Sequence, residues 1–302
     1  MKPEDFRFSE LYLELLIILN FNAMNKLKKY MMNRALALIS LLFVFSFASC
    51  EEVVNLDLPT GETKLVIDAE IIWKKGTDGK EQTIKISKTA PYYNNSTPKV
   101  SGAQVRIENG SGDVFTFNET EAGVYKCTNF VPVLNADYKL FITAEGQSFT
   151  AVEKLTSVTP ITKIEQNIVP DFSGKDIIEL TYYYNDPADE VNYYVTDYQS
   201  SFLIYPEYGI TNDEFLNGNE ISTRYSHEDK MKPGNTVTIT HRGVSKNFYN
   251  YWKLILEASV SNPFSVPPGS IRGNIVNTSD INNYAFGYFR LCEADQVPYV
   301  VK

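Results

Sequence analysis

The sequence predicts a mainly β protein: an N-terminal immunoglobulin-like β-sandwich, followed by a second β-rich domain carrying one amphipathic helix. Three observations carry this reading. Short runs of alternating apolar and polar residues recur every 8–12 residues from Lys64 onward. Gly/Asn/Asp clusters separate them, as strand-joining turns require. Helical periodicity stands out in one stretch, after Ser245.

The first domain is read as residues 64–155. Leu65-Val66-Ile67 opens it, and Ile84 and Ile86 alternate with Thr83, Lys85 and Ser87 in the next strand. Ala103, Val105 and Ile107 alternate with Gln104, Arg106 and Glu108, the cleanest period of two in the chain. The turn Asn109-Gly110-Ser111-Gly112-Asp113 leads into Val114–Phe117, and Val124–Cys127 and Tyr138–Thr143 follow. Glu145-Gly146-Gln147 turns the chain into Ser148–Val152. Seven short strands of this spacing describe an immunoglobulin-like sandwich.

The second domain is read as residues 156–302. Ile161–Val169, Asp176–Tyr184, Val191–Tyr205 and Thr236–Thr240 are predicted strands, and Pro206–Lys232 is predicted as a long acidic surface loop. Ser245 can cap a helix in which Phe248, Trp252, Ile255 and Leu256 share one face. Tyr249, Asn250, Lys253 and Glu257 form its polar side, and the helix is expected to end before Asn262-Pro263.

The N-terminus reads as an address. Lys26, Lys28, Lys29 and Arg34 precede the run Ala35–Ala48, in which only Ser40 and Ser46 are polar. As a helix those 14 residues span about 21 Å, short of a hydrocarbon core of about 30 Å. Residues 1–49 are therefore a secretory signal rather than a membrane span, with 1–23 lying ahead of the translation start read at Met24, Met31 or Met32. Phe47-Ala48-Ser49-Cys50 resembles a bacterial lipobox, which implies cleavage before Cys50 and lipidation of that residue. Residues 50–63 are then a polar tether. Glu51-Glu52 resembles the acidic signal that exports lipoproteins to the outer cell surface, so the expected location is the outer membrane, lipid-anchored and surface-exposed.

Charge narrows the function classes. The formal net charge is −9; residues 1–49 hold six basic and four acidic residues, so the remainder carries −11. That balance repels nucleic acid, and no such partner is expected. Two histidines, His227 and His241, lack metal-ligand spacing, and no cofactor or metal is expected. Asp186, Asp189 and Glu190 with Asn185, and Asp213 and Glu214 with Asn212, supply hard oxygen ligands without the EF-hand spacing. Cys127 and Cys292 read as inert buried thiols, with a disulfide between them as the alternative.

The closing stretch carries the most specific likeness. Asn262-Pro263-Phe264, Pro267-Pro268, Ile271, Gly273-Asn274-Ile275 and Gly287-Tyr288-Phe289, after the Trp252 helix, resemble the end signature of a Bacteroidota lipoprotein family catalogued as a domain of unknown function, numbered 4249. Gly102–Val105, Gly123-Val124-Tyr125 and Asp186-Pro187 ahead of Tyr193-Tyr194 fit the same family, so the likeness covers nearly all of residues 50–302. The resemblance implies a lipid-anchored protein working beside a TonB-dependent outer-membrane receptor, and it brings no catalytic residues.

The dense aromatics Tyr182, Tyr184, Tyr194, Tyr198 and Tyr205 are the candidate ligand or partner surface, with plain sheet decoration as the other reading. The expectation is a non-enzymatic binding or accessory protein for nutrient capture. A structural or adhesive surface protein and a carboxylate-based hydrolase using Asp213 and Glu214 are the alternatives. The ligand itself is not legible.

Overall fold

The computed structural model describes residues 26, 28–34, 36, 38, 40, 62–91, 96–214, 218–227, 230–259 and 271–302. Cys50, Glu51-Glu52 and the Asn262–Pro268 part of the closing signature lie outside them. The chain divides into Met1–Pro59 and Thr60–Lys302. In the first unit, α1 is helical at the described positions between 26 and 40, with exposed side chains. Among the described residues no helix is long and apolar enough to cross a membrane.

The second unit is mainly β. Its strands are β1 (Leu65–Lys74), β2 (Gln82–Lys88), β3 (Gln104–Asn109), β4 (Val114–Glu121), β5 (Val124–Cys127), β6 (Asp137–Ala144) and β7 (Gln147–Thr156), then β8 (Ile161–Pro170), β9 (Asp176–Asn185) and β10 (Tyr193–Ser200). There follow β11 (Glu207–Asn212), β12 (Glu220–Ser226), β13 (Thr236–Val244), helix α2 (Lys246–Ser259), β14 (Val276–Asn277) and β15 (Phe286–Val300).

The seven strands expected in the first half are present as β1–β7, but they do not form a sandwich. They run in one sheet, in the order β1-β2-β5-β4-β3-β6-β7, and β15 closes it by pairing with both β1 and β7. The result is barrel-like, with eight strands. Alternate residues of every strand point inward: Ile67, Ile84, Tyr125, Phe117, Ile107, Leu140, Phe149 and Phe289 are all buried in one cluster. An eight-strand ring is just wide enough for side chains to fill. The tight turn at 145–146 has both residues at positive φ, the geometry that matches hairpin twist.

The second half has two facing sheets, β12-β9-β8 and β11-β10-β13-β15, giving the three-on-four layering of an immunoglobulin-like domain. Two layered sheets are thus found in the second half and not in residues 64–155. The predicted loop Pro206–Lys232 contains β11 and β12, each half-buried against a neighbouring strand. Nor are the halves on either side of residue 155 separate. β15 spends Phe286–Ala294 beside β1 and Ala294–Val300 beside β13. Two of its acids also hold the crossing segment: Glu293 accepts the Val158 N–H at 3.0 Å and Asp295 accepts that of Ile161 at 2.7 Å.

Helix α2 begins as expected, with Ser245 Oγ accepting the Phe248 N–H at 3.2 Å. It covers the outer face of the sheet where β10, β13, β15 and β1 meet, burying Phe248 against Val195, Val244, Tyr288 and Cys292. Tyr249, assigned to the polar side, packs on Tyr193 with ring centroids 5.2 Å apart. Beneath the helix, Arg290 pairs with Glu70 and Arg242 pairs with Asp197, so one ion network joins β1, β15, β13 and β10. Burial opposes ionisation of Glu70, but Arg290 and Arg242 together outweigh it and hold the carboxyl below the usual range.

Between the two sheets of the second half lies an aromatic core. Tyr182 and Tyr184 of β9 and Tyr194 of β10 pack around His241 of β13, and Tyr198 of β10 and Tyr225 of β12 extend the cluster. Tyr198 and Tyr225 stack at 4.0 Å. The Tyr182 hydroxyl donates to Thr196 Oγ1 at 2.9 Å, and Thr196 lies 2.9 Å from His241 Nδ1. That contact engages Nδ1, and the other ring nitrogen, Nε2, is buried without a hydrogen-bond partner. Complete burial, with Arg242 adjacent in sequence, pushes the His241 pKa down to about 3.

Two outcomes follow. Gly287 sits at φ +101° against β1, where a Cβ would collide with the Ile67 carbonyl oxygen. Gly287→Ala should cost at least about 2 kcal/mol in urea unfolding, whereas Gly110→Ala, with open space around it, should stay within about 0.5 kcal/mol. For His241, the unfolded chain takes up a proton below pH 6.5 that the native imidazole refuses. Native stability then falls from pH 6.5 toward 3, by about 1.4 kcal/mol per pH unit. Urea midpoints measured from neutral pH to about 4.5 should show this slope in the wild type and a shallower one in His241→Phe; equal slopes would contradict the assignment.

Candidate functional site

Strand register defines two poles of the second half. At one, β8 ends, β9 begins, β10 ends and β11 begins, β12 ends and β13 begins, and β15 reaches Val300. The loops there expose large apolar side chains. Asp171 Oδ1 accepts the N–H groups of Ser173 and Lys175, each at 2.8 Å, and Gly174 takes φ +84°, so the loop closes on itself and leaves Phe172 fully outside. The β10–β11 connection turns where Leu203 N–H donates to Ser200 O at 3.1 Å. It then presents Ile204 at 88% and Tyr205 at 80% exposure.

This pole is braced from within. Tyr225 donates to Glu207 Oε2 at 2.7 Å, and the His227 ring meets Phe202 edge-on at 5.6 Å. Beside the brace lies an open cleft of about 410 Å³. Gln199, Ser200, Ser201, Thr236 and Thr238 supply its polar lining; Leu203, Ile204, Tyr205 and Pro206 supply its apolar lining. The cleft is of ligand-site size, and no carboxylate, imidazole, thiol or amine side chain lines it. Such a lining can hydrogen-bond and stack.

The structure separates the five candidate tyrosines. Tyr182, Tyr184, Tyr194 and Tyr198 are interior, each at most 4% exposed, and only Tyr205 faces outward. The reason is the strand period of two: in β9 and β10 these residues point between the sheets, while the intervening Tyr183 and Tyr193 point away. They form a core, not a ligand surface. Ile204 lay hidden in the predicted strand Val191–Tyr205, which the structure ends at Ser200, and Phe172 is a lone apolar residue in a loop that gives no periodic signal.

The other candidates also find places. Cys127 lies in the barrel interior and Cys292 on the outer side of its wall beneath α2, both as free thiols, so the alternative of a disulfide between them is not adopted. Burial pushes the Cys292 thiol up to about 12. Asp213 is fully buried while Glu214 is exposed, and Asp186 comes against Asp213 at the opposite pole. Among the described residues no group of three His, Cys, Asp or Glu side chains is placed to hold a metal ion.

Among solved structures, the chain is similar to a two-domain fibronectin type III segment of chicken tenascin, at 14% identity over 54% of this chain and 84% of that one, TM-score 0.20. It is similar to a cytokine receptor complex at 10% identity, over 62% and 86%, TM-score 0.24. A DUF3823 family protein from Bacteroides uniformis matches at 11% identity, over 80% and 100%, TM-score 0.23. Scores this low carry no argument about this chain. No curated protein matches it. The family model described as a domain of unknown function, DUF4249, matches residues 51–296, and the chain belongs to that family.

Proposed function

We propose that this chain is a lipid-anchored binding protein of the bacterial outer membrane, facing the cell surface and acting with a TonB-dependent receptor in nutrient capture. The observation that carries the binding role is the pole bearing Phe172, Ile204 and Tyr205, three large apolar side chains exposed from two loops, of which Ile204 and Tyr205 also line the part-polar, part-apolar cleft. Exposed apolar groups rimmed by polar ones mark contact surfaces, and aromatic anchors dominate contact energies. The anchor at Cys50 is supported by the basic cluster, the short apolar run and the small-small-Cys step. Tethering confines the protein to two dimensions and raises its effective concentration at a receptor in the same membrane.

The test is a cross-linked pull-down of the native protein from detergent extracts, with wild type beside an Ile204→Ser/Tyr205→Ala variant. The wild type should recover a barrel-type receptor, and the variant about tenfold less. Equal recovery would remove the pole from the account; recovery of surface polymers in place of a receptor would favour the adhesive reading. Cys50→Ser should release the protein from the membrane fraction and remove the acyl mass from its N-terminal peptide. Native material with an unlipidated N-terminus would contradict the anchor.

A further inference from the structure

The pole opposite the cleft carries a second feature, independent of the binding surface. There the β9–β10 connection is joined to the described residues flanking β11 and β12. Asp186 N–H donates to Asn219 O at 3.0 Å, and Asp213 N–H to Asn192 O at 3.4 Å. A Cβ on Gly218 would press on Ala188 at 2.9 Å. The contact brings two carboxylates inside: Asp186 is 6% exposed and Asp213 is 0% exposed.

Their partners satisfy only part of their capacity. Asp186 accepts the Tyr194 hydroxyl at 2.8 Å and the Gly218 N–H at 3.3 Å. Asp213 Oδ2 accepts the Asn192 N–H at 2.9 Å, while its Oδ1 is buried and meets no N–H or hydroxyl donor, with the Asp186 carboxyl within hydrogen-bond reach of the Asp213 carboxyl. Asn192 itself is 8% exposed; its amide nitrogen donates to Glu190 at 3.2 Å, and its side-chain oxygen is also buried without a partner. Among the described residues no ion pair to Asp186 is formed, and burial, with the neighbouring Asp213, raises its pKa above the usual carboxylate range. Two buried like charges, with two orphaned oxygens around them, are costly unless a cation or a proton joins them.

We propose that Asp186, Asp213 and the side-chain oxygen of Asn192 bind a calcium ion that fastens the β9–β10 connection to the segment following β11. Calcium accepts carboxylate and amide oxygens together, so a third acid is not required, and two carboxylates balance its charge. Magnesium holds its waters more tightly and suits so enclosed an oxygen set less well. The notable consequence is regulatory: the ion would set the rigidity of the pole at which the second half meets the barrel.

The experiment uses the full chain in detergent after exhaustive chelation, followed by thermal unfolding with added calcium, magnesium or potassium. For a Kd near 0.1 mM, 1 mM calcium should raise Tm by about 3–6 °C, with magnesium giving less than half of that and potassium nothing. Terbium should bind with tyrosine-sensitised emission, because Tyr194 touches Asp186. Asp186→Asn should abolish both responses. Asn192→Ala, which keeps both carboxylates, should weaken calcium binding about tenfold and still fold. An unchanged Tm with calcium, together with an Asp186→Asn variant as stable as the wild type, would overturn the proposal and assign a shared proton to the pair. Equal shifts from calcium and magnesium would also overturn it, leaving general charge screening.

Discussion

The structure depends on one strand serving two ladders. β15 pairs in parallel with β1 through Ala294 and antiparallel with β13 from Ala294 to Val300, so fifteen residues complete a barrel and a sandwich in turn. A parallel pair needs a long crossover, and here the crossover is nearly the whole chain between β1 and β15. The first half cannot close until the last strand has been made. Gly287 allows the approach, since the Ile67 carbonyl occupies the space a side chain would need. The ion network under α2 follows the same seam, one charged residue from each of four adjacent strands. Removing one partner would leave a charge buried without its mate, which costs more than an intact pair contributes.

Polar groups in this protein are sorted by depth. His241 is held neutral inside an aromatic cage, Cys292 is held as a thiol beneath α2, and both are out of reach of solvent. The far pole of the second half offers apolar area with hydroxyl and amide groups alongside, and the Glu207–His227 pair lies beside them.

Much of the fold was legible because alternation is a strong signal where one face is buried. β3 and β6 appear in the sequence almost residue for residue, and Ser245 announces α2. β15 was not legible as a shared strand. From Tyr288 to Ala294 it is buried or nearly so on both faces, so its sequence does not alternate and its length gives no sign of two partners. β11 and β12 were hidden for the opposite reason: each is short, flanked by acidic and polar residues, and stabilised by its neighbour rather than by its own pattern. The tyrosines were misplaced as a surface because composition shows abundance, while only the register decides direction. The meeting of Asp186 with Asp213 depends on two segments far apart in sequence, and no local spacing encodes it.

Native-state hydrogen exchange along β1, β15 and β13 tests the shared strand most directly. If β15 couples the two ladders, slow amides of Ile67–Ile71 and Val237–His241 should open with one common free energy and one denaturant dependence. A sandwich whose amides exchange at a distinctly lower free energy, while β1 and the first half of β15 stay protected, would show two independent units and contradict the account.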